Sequence, residues 1–191
     1  MEELKRLLEP NMSLTDEDLQ RWAPYTRRVT YPAGAVLFRE GEVCREVVVI
    51  ASGLVRAFYL HEAREVNLRL LCTPGVAVAL SSLITNAPAA ETVAAVTEVA
   101  GYRLRLRDFE HDHPGTTEAA RRILAEQHYL SMERRLKMLQ WKSAAERYAF
   151  YLEHMEAPII AEMPGYHVAS YLGVTPESLS RVRARRGRGA S

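Results

Sequence analysis

The sequence predicts an α+β protein in which a β-rich N-terminal part precedes a helical C-terminal part. Up to about residue 112, short β-rich segments alternate with turn signals such as Pro32-Ala33-Gly34, Ser52-Gly53 and Pro74-Gly75. Strands at this spacing are typical of a sandwich or barrel. After His113-Pro114-Gly115, apolar residues recur at helical spacing instead. The chain therefore changes its architecture near residue 112.

Eight strands are expected in the first part, because the turn residues separate eight segments of strand length. These segments are residues 27–31, 35–39, 46–51, 54–60, 64–71, 76–80, 91–97 and 99–106. A short helix is expected before them, since residues 14–19 contain an N-cap candidate followed by acidic residues. The two cysteines, Cys44 and Cys72, lack the spacing of a metal site and are expected to be small buried thiols.

A long helix is predicted from Thr116 or Thr117 to about residue 140. Two apolar positions per heptad form a seam on this otherwise charged helix. The seam consists of Tyr129, Met132, Leu136 and Leu139. Such a narrow stripe either packs on the β part or pairs with a second helix, and the flanking charges favour a homodimer. The expected domains are residues 1–112 (the β-rich part), 113–141 (the dimerisation helix and linker) and 142–191 (the C-terminal helical part).

The last domain begins with a capping box, in which Ser143 is followed three residues later by Glu146. This helix is expected to end at Ala157-Pro158. The segment 166–183 then has the pattern of two short helices joined by a tight turn. Gly173 can supply the positive φ of the turn, and Thr175 is a natural N-cap. The residues expected to face the core of this unit are Val168, Ala169, Leu172, Val174, Leu179 and Val182.

The outward side of the second helix has the chemistry of a DNA-reading surface. Arginine makes bidentate contacts to guanine, and glutamate accepts a hydrogen bond from cytosine. Glu177 and Arg181 lie four residues apart and are expected to share a face and to orient one another. Residues 164–191 contain five arginines and one acid, for a net charge of +4 against −3 elsewhere. The predicted DNA-binding residues are Thr175, Glu177, Ser178, Ser180, Arg181, Arg183, Arg185 and Arg186.

At these residues the sequence resembles the Crp/Fnr family of bacterial transcription regulators. The stretch from Leu172 to Arg181 is similar to the recognition element of the family, whose Glu-x-x-Ser-Arg pattern falls on Glu177, Ser180 and Arg181. The spacing of Pro and Gly residues from Pro32 to Gly75 resembles the cyclic-nucleotide-binding-like β-roll of the family. The resemblance implies this β-roll (a double-stranded β-helix, or jelly roll), a long dimerisation helix and a C-terminal winged or plain helix-turn-helix.

The chain departs from the nucleotide-binding members of the family. Those members have a glutamate shortly after the Pro-Gly turn and an arginine in the phosphate-binding loop. Here Leu80 takes the first position, Ala89 is nearest to the second, and Glu91 would repel a phosphate. We therefore expect no cofactor and no dependence on cAMP, with an unidentified small molecule as the open alternative. The residues expected to line such an effector pocket are Val78, Leu80, Ala89, Glu91 and Thr92.

Other sites have weaker support. The cysteine cluster of an iron–sulfur sensor is absent; His61, His111 and His113 leave haem open, although each reads better as a surface or turn histidine. No His-x-His pair falls in a predicted strand, as a cupin-like enzyme would need, so we expect no enzymatic activity and no metal site. The arginine-glycine tail is too short for a hairpin wing and is expected to act as a flexible arm that binds phosphates.

The sequence thus predicts a homodimeric, sequence-specific regulator that reads a palindromic operator in double-stranded DNA. RNA polymerase is a further expected partner. With no signal peptide and no apolar run long enough to span a bilayer, the expected location is the cytoplasm. A rival hypothesis is a ligand-sensing, cupin-like β-roll whose C-terminal helices serve only as an interaction module.

Overall fold

Two four-stranded antiparallel sheets form the N-terminal β-roll, and nine helices accompany them in the part of the chain that the structure describes. The computed structural model describes residues 1–9 and 12–189. The strands are β1 (Thr26–Tyr31), β2 (Val36–Phe38), β3 (Val47–Ser52), β4 (Val55–His61), β5 (Arg64–Leu71), β6 (Gly75–Ala77), β7 (Thr92–Ala95) and β8 (Val99–Leu104). The helices are α1 (Glu2–Leu8), α2 (Asp16–Trp22), α3 (Leu80–Thr85), α4 (Leu106–Asp112), α5 (Glu118–Gln140), α6 (Ala144–His154), α7 (Ala157–Glu162), α8 (Gly165–Leu172) and α9 (Pro176–Gly189).

The sheets have the strand orders β1-β8-β3-β6 and β2-β7-β4-β5, and their inner faces enclose the core of the roll. All eight predicted strands are present, with ends that differ by a few residues. The segment expected at 76–80 forms a shorter strand, because the chain turns into α3 at Leu80. Val48, Ile50, Val55 and Val93 are fully buried between the sheets, which explains the strong apolar character of β3 and the adjoining strands.

The helix expected near residue 14 is α2, and its N-terminus is closed by a capping box between Thr15 and Asp18. The sequence reading did not predict α1, α3 or α4. Each is only six or seven residues long, so its hydrophobic periodicity is too short to detect. Tertiary contacts hold them, as the burial of Leu4 and Phe109 illustrates.

The long helix α5 packs on the roll through one side and leaves the other side exposed. Ala120, Leu124 and Met138 face inward, whereas Tyr129 and Leu136 are 66% and 60% exposed. Of the other two residues of the predicted seam, Met132 is half-buried. Leu139 departs from the prediction, since it packs into the C-terminal core next to the turn after α8. The exposed seam therefore ends one turn earlier than expected.

The helices α6 to α9 share a second core with residues of the roll, including Leu54, Leu70 and Cys72. The capping box predicted at Ser143 and Glu146 is present at the start of α6. Helix α6 ends at His154, three residues before the predicted end at Ala157-Pro158. Ala157 and Pro158 instead form the first turn of the short helix α7.

A buried asparagine on β5 connects the roll to α8 and α5. The backbone N–H of Asn67 donates to Ser170 Oγ at 2.9 Å, and its Nδ2 donates to the His167 carbonyl at 3.1 Å. Arg56 donates to Asn67 Oδ1 at 3.2 Å, and Arg135 of α5 donates to its carbonyl at 3.0 Å. The backbone N–H, the backbone carbonyl, Oδ1 and Nδ2 of Asn67 thus each bond to a different residue. These bonds fix α8 against the sheet. No helix in the described part of the chain has the length and apolar character needed to cross a membrane.

We predict that Leu172→Ala lowers the free energy of unfolding by about 2–5 kcal/mol, because Leu172 is fully buried and its truncation leaves a cavity. Leu60→Ala is the matched control, since Leu60 is 58% exposed and its loss is expected to cost about 0.5 kcal/mol or less. Urea titration followed by circular dichroism measures both values. Equal losses for the two variants would contradict the assignment of Leu172 to the core.

Candidate nucleic-acid interface

The turn between α8 and α9 is fixed by its glycine. Gly173 has φ +65°, and the N–H of Val174 bonds back to the carbonyl of Ala169 at 3.0 Å, which closes the end of α8. A Cβ at Gly173 would lie 3.3 Å from Arg147 Nη1 and 3.3 Å from Leu139 Cδ2. Both the backbone conformation and the surrounding space therefore favour glycine, as the sequence predicted.

Arg147 holds this turn in place, a role that the sequence reading missed. Its Nη1 donates to the carbonyls of Leu172 and Gly173 at 3.1 and 3.2 Å. Its Nε donates to the carbonyl of Trp141 at 2.9 Å, just after the end of α5. One side chain thus satisfies carbonyls at the ends of two helices. The only local signal was its position after the capping box, which does not reveal contacts across 25 residues.

Helix α9 begins at the predicted cap and presents a polar face outward. The N–H of Ser178 donates to Thr175 Oγ1 at 3.2 Å, and Pro176 takes the first helical position. Leu179 is buried, and Val182 packs partly against the same core. Helical spacing places a second set of residues on the side opposite Leu179. These residues are Glu177, Arg181 and Ala184, with Ser180 at the edge of the same face, and all four are exposed.

The polar groups at the start of α9 are connected differently from the prediction. Arg181 donates to Ser178 Oγ at 3.2 Å, and among the described residues Glu177 and Arg181 form no ion pair within 4 Å. Ser178 is half-buried as a result, whereas Glu177 stays exposed. A hydrogen bond from its own backbone N–H, followed by one from Thr175, lowers the pKa of Glu177. The carboxylate is therefore ionised at neutral pH and can only accept hydrogen bonds.

The three remaining predicted arginines occupy different environments. Arg183 turns toward α6, where its Nε donates to the Tyr148 hydroxyl at 3.3 Å and its guanidinium lies 5.5 Å from the ring centre. Arg185 is exposed and lies one turn beyond Arg181, beside the outward face. Arg186 is also exposed. It follows Leu179 by seven residues, so it lies on the same side of α9 as Leu179 and away from the outward face.

The predicted flexible arm is not present as a separate segment. Helix α9 continues through the arginine-glycine run to Gly189, so these arginines extend the second helix of the motif. The two glycines of this run, Gly187 and Gly189, suggest flexibility, but the three arginines beside them are good helix formers. The last two residues, 190 and 191, lie outside the described part of the chain.

The residues predicted to line an effector pocket separate into two places. Val78 and Leu80 line a cavity of about 360 Å³ beside the roll. Ala89 is buried elsewhere, and Thr92 Oγ1 accepts a hydrogen bond from the backbone of Glu40 at 3.2 Å. Glu91 does not face an empty phosphate site, as the sequence suggested, because it forms a buried ion pair with Arg69 of β5. Burial raises the pKa of Glu91, and the charge of Arg69 opposes this rise.

Arg69 was missed because it lies in a different strand, 22 residues before Glu91. Its Nη2 also donates to the Val78 carbonyl at 2.8 Å. The roll therefore contains a buried cation on β5, outside the loop in which the sequence shows no arginine, and Glu91 of the same chain pairs with it.

The two cysteines are buried thiols and the three candidate histidines are surface or turn residues, as the sequence predicts. Cys44 and Cys72 are both buried, and burial raises the pKa of each thiol, to about 11 for Cys72. His61 and His111 are exposed, and His113 packs on the ring of Phe109 at 4.8 Å. Among the described residues, no three His, Cys, Asp or Glu side chains are grouped to hold a metal ion.

Comparison with known proteins gives a consistent result. Residues 28–111 match the cyclic nucleotide-binding domain family. The chain is 25% identical over 187 residues to the transcriptional activator protein Anr of Pseudomonas aeruginosa, covering 91% of this chain and 76% of that protein. The structure of FixK2 from Bradyrhizobium japonicum has a TM-score of 0.74 at 18% identity, with 86% of each chain covered.

The structure of a protein from Eubacterium rectale that is assigned to the Crp/Fnr family of transcriptional regulators has a TM-score of 0.69 at 16% identity. The superposition covers 95% of this chain and 87% of the Eubacterium rectale chain. The resemblance predicted from the sequence is thus confirmed in sequence and in fold. The sequence relative, Anr, is a transcriptional activator.

The buried His167 predicts a loss of stability in mild acid. It is 6% exposed, and burial, followed by the charge of Arg56, lowers its pKa to about 4 in spite of the opposing Glu65. In the unfolded chain the pKa of this histidine is about 6.5, so the unfolded state binds the proton more readily. Stability is therefore complete above pH 6.5 and falls as the pH drops toward 4, by up to about 2 kcal/mol at pH 5.

We expect His167→Gln to lose less stability than the parent chain between pH 7 and pH 5. Chemical denaturation at the two pH values measures this difference. His61→Gln is the control, because His61 is exposed and its replacement should leave the pH dependence as it is. An identical loss in His167→Gln and the parent chain would show that His167 is not the group responsible.

Proposed function

Since this chain contains a cyclic nucleotide-binding domain and has the fold of the Crp/Fnr-type regulators, we propose that it is a homodimeric, sequence-specific transcription regulator that acts without cAMP. The observation that carries the proposal is the outward face of α9. There an ionised Glu177 and an exposed Arg181 lie on a helix whose other side is anchored in the core. Such a helix fits the major groove, where both side chains match base edges.

The contacts assigned to each residue follow from its position on α9. Glu177, Ser180 and Arg181 face the bases, whereas Arg185 lies at the side and contacts a phosphate. Thr175 caps the start of the helix by accepting a hydrogen bond from the Ser178 N–H. Ser178 Oγ accepts one from Arg181 Nη2 at 3.2 Å and so orients the guanidinium. Arg183 supports the helix through Tyr148 rather than contacting DNA.

Dimerisation is supported by the exposed side of α5. Tyr129 and Leu136 are large side chains that remain largely exposed on a helix with charged neighbours. A second α5 packed against them would bury both and relate two copies of α9 by twofold symmetry. The two recognition helices would then read half-sites about 34 Å apart, which makes the operator palindromic.

Independence of cAMP is supported by the chemistry of the roll. Leu80 and Ala89 occur where the nucleotide-binding relatives have a glutamate and an arginine. Arg69, a buried cation on β5, is paired with Glu91. A cyclic phosphate would have to displace this carboxylate and would leave it buried without its partner, which is costly.

Two finer aspects of the proposal concern partners and location. The relative Anr is a transcriptional activator, and activation of transcription requires contact with RNA polymerase or recruitment of it. We extend that partner to this chain, together with action in the cytoplasm, where the DNA of a bacterium lies. The rival function, a ligand-sensing roll with an interaction module, predicts no binding to DNA of any sequence.

Selection from random duplex DNA should return a palindrome, and Arg181→Ala should reduce discrimination at one base pair of each half-site by about 1–3 kcal/mol. The reason is the loss of a bidentate contact to guanine. Gel-shift titrations with the selected site and single-base variants measure the discrimination, with and without added cAMP. Sequence-independent binding would contradict the proposal, as would a need for cAMP.

Arg185→Ala should weaken binding to all sequences and reduce the salt dependence, the slope of log K against log salt, by about one. Arg186→Ala is the matched control, because its side chain lies on the far side of α9 and its removal should change the slope less. Fluorescence anisotropy at several salt concentrations measures both. A larger effect for Arg186→Ala would reverse the assigned orientation of the helix.

Leu136→Glu should convert the dimer into a monomer, because it places a charge in the centre of the apolar contact between two α5 helices. Sedimentation velocity measures the mass, and DNA affinity should fall because one half-site is lost. Leu60→Glu, on an exposed part of the roll, is the control and should remain dimeric. A parent chain that is monomeric at every concentration would refute this part of the proposal.

A further inference from the structure

Five side chains form a continuous series of ring contacts from α9 to α5. The guanidinium of Arg183 lies 5.5 Å from the ring centre of Tyr148 of α6, and its Nε donates to the tyrosine hydroxyl at 3.3 Å. Tyr148 stacks on Tyr151 with ring centres 6.0 Å apart, and Tyr151 meets Tyr171 of α8 edge-on at 6.4 Å. The guanidinium of Arg135 of α5 lies 5.3 Å from the centre of the Tyr171 ring. This arginine–tyrosine series therefore connects the helices α5, α6, α8 and α9.

The three rings in the middle of the series are held in place by burial. Tyr148, Tyr151 and Tyr171 are 9%, 1% and 5% exposed. The hydroxyl of Tyr151 also donates to the Ile159 carbonyl at 3.2 Å. Rings packed in this way cannot turn or slide without opening voids or clashing with their neighbours. At the other end, Arg135 donates a hydrogen bond to a carbonyl of β5 at 3.0 Å, so the α5 end of the series is fixed on the roll.

Arg183 is the end of the series that belongs to the proposed DNA-reading helix. Beyond Val182, α9 contains only arginine, alanine and glycine, so its second half has no large apolar side chain to anchor it. The contact with Tyr148 supplies an anchor of a different kind, a cation on the face of a ring. The start of α8 leaves room for this contact, because a Cβ at Gly165 would lie 3.2 Å from Arg183 Nη1.

We propose that the arginine–tyrosine series sets the angle of α9 relative to α5, and that Arg183 is a positioning residue that acts through Tyr148. Leu179 holds the first half of α9 in the core, and a helix anchored near one end can tilt. The cation on the ring removes this freedom. In two chains related by twofold symmetry, the tilt of each α9 sets the separation of the recognition helices and hence the accepted half-site spacing. This consequence rests on the proposed function, whereas the position of α9 does not.

The position of α9 can be measured on the full chain without DNA. Spin labels are attached at Lys137→Cys on α5 and Ala184→Cys on α9, two exposed positions, whereas the native cysteines are buried and take little label. Double electron–electron resonance, with the labelled chain diluted into unlabelled chain, reports the distance within one chain. We expect a narrow distance distribution for the parent and a broader one for Arg183→Gln, which should fold normally because Arg183 is exposed. An unchanged distribution in Arg183→Gln would overturn the inference.

Variants of Tyr148 separate positioning from a general loss of packing. Tyr148→Phe keeps the ring face and should retain the narrow distribution, whereas Tyr148→Leu should broaden it as Arg183→Gln does. Adding Arg183→Gln to Tyr148→Leu should cause no further broadening, because the arginine acts through the ring. Arg186→Gln is the control, since Arg186 is exposed on the same side of α9 and is not stacked on a ring in the described part of the chain. Additive broadening in the double variant, or equal broadening in Arg186→Gln, would contradict the proposal.

Binding to DNA tests the consequence for recognition, with the selected palindrome and with versions whose half-site spacing is one base pair longer or shorter. Arg183→Gln should lose about two- to fivefold in affinity at the preferred spacing, the size of an exposed cation–π contact. Its affinity at the other spacings should fall less, with the base preference in each half-site unchanged. An equal loss at every spacing, with a smaller salt slope, would make Arg183 a phosphate contact and refute its positioning role. A parent chain that binds no DNA would refute the proposed function but not the position of α9, which the distance measurement decides.

Discussion

The orientation of α9, the proposed DNA-reading helix, depends on the contact that Asn67 makes between the roll and α8. Asn67 is fully buried, and its backbone and side chain bond to Ser170, His167, Arg56 and Arg135. A buried amide with partners on three elements tolerates only one arrangement of them, because a shift of any element leaves polar groups unpaired in a low-dielectric environment. The contact therefore converts two domains, each with its own core, into one defined geometry.

That geometry continues into α9 through a second polar anchor. Arg147 ties the end of α5 to the turn after α8, and the positive φ of Gly173 sets the angle at which α9 departs. The direction of the recognition helix is thus determined relative to α5. If two α5 helices pair, the same two anchors determine the separation of the two recognition helices, which is the quantity that a palindromic site tests.

Much of this molecule follows from local sequence. The strands, the N-cap at the start of α2, the capping box at Ser143 and the turn at Gly173 depend on residues within a few positions of one another, and all of these predicted features are present. The errors concern pairs that the fold brings together. Arg69 meets Glu91 across the roll, and Arg183 meets Tyr148 over 35 residues, so neither partner could be identified from spacing. The cavity is invisible for the same reason, because its walls come from residues 69 to 171.

The missed ion pair changes the interpretation of the sensor. The sequence alone predicts that Glu91 repels a phosphate and that the loop before it has no arginine to bind one. With Arg69 beside it, the same glutamate instead holds a buried arginine in place while leaving Nε without a partner in the described structure. An arginine kept in this state is costly unless something else uses it. Leu80 and Ala89 are apolar at the positions of the expected nucleotide-binding pair, while the roll holds a cation at a different position, where Arg69 pairs with Glu91.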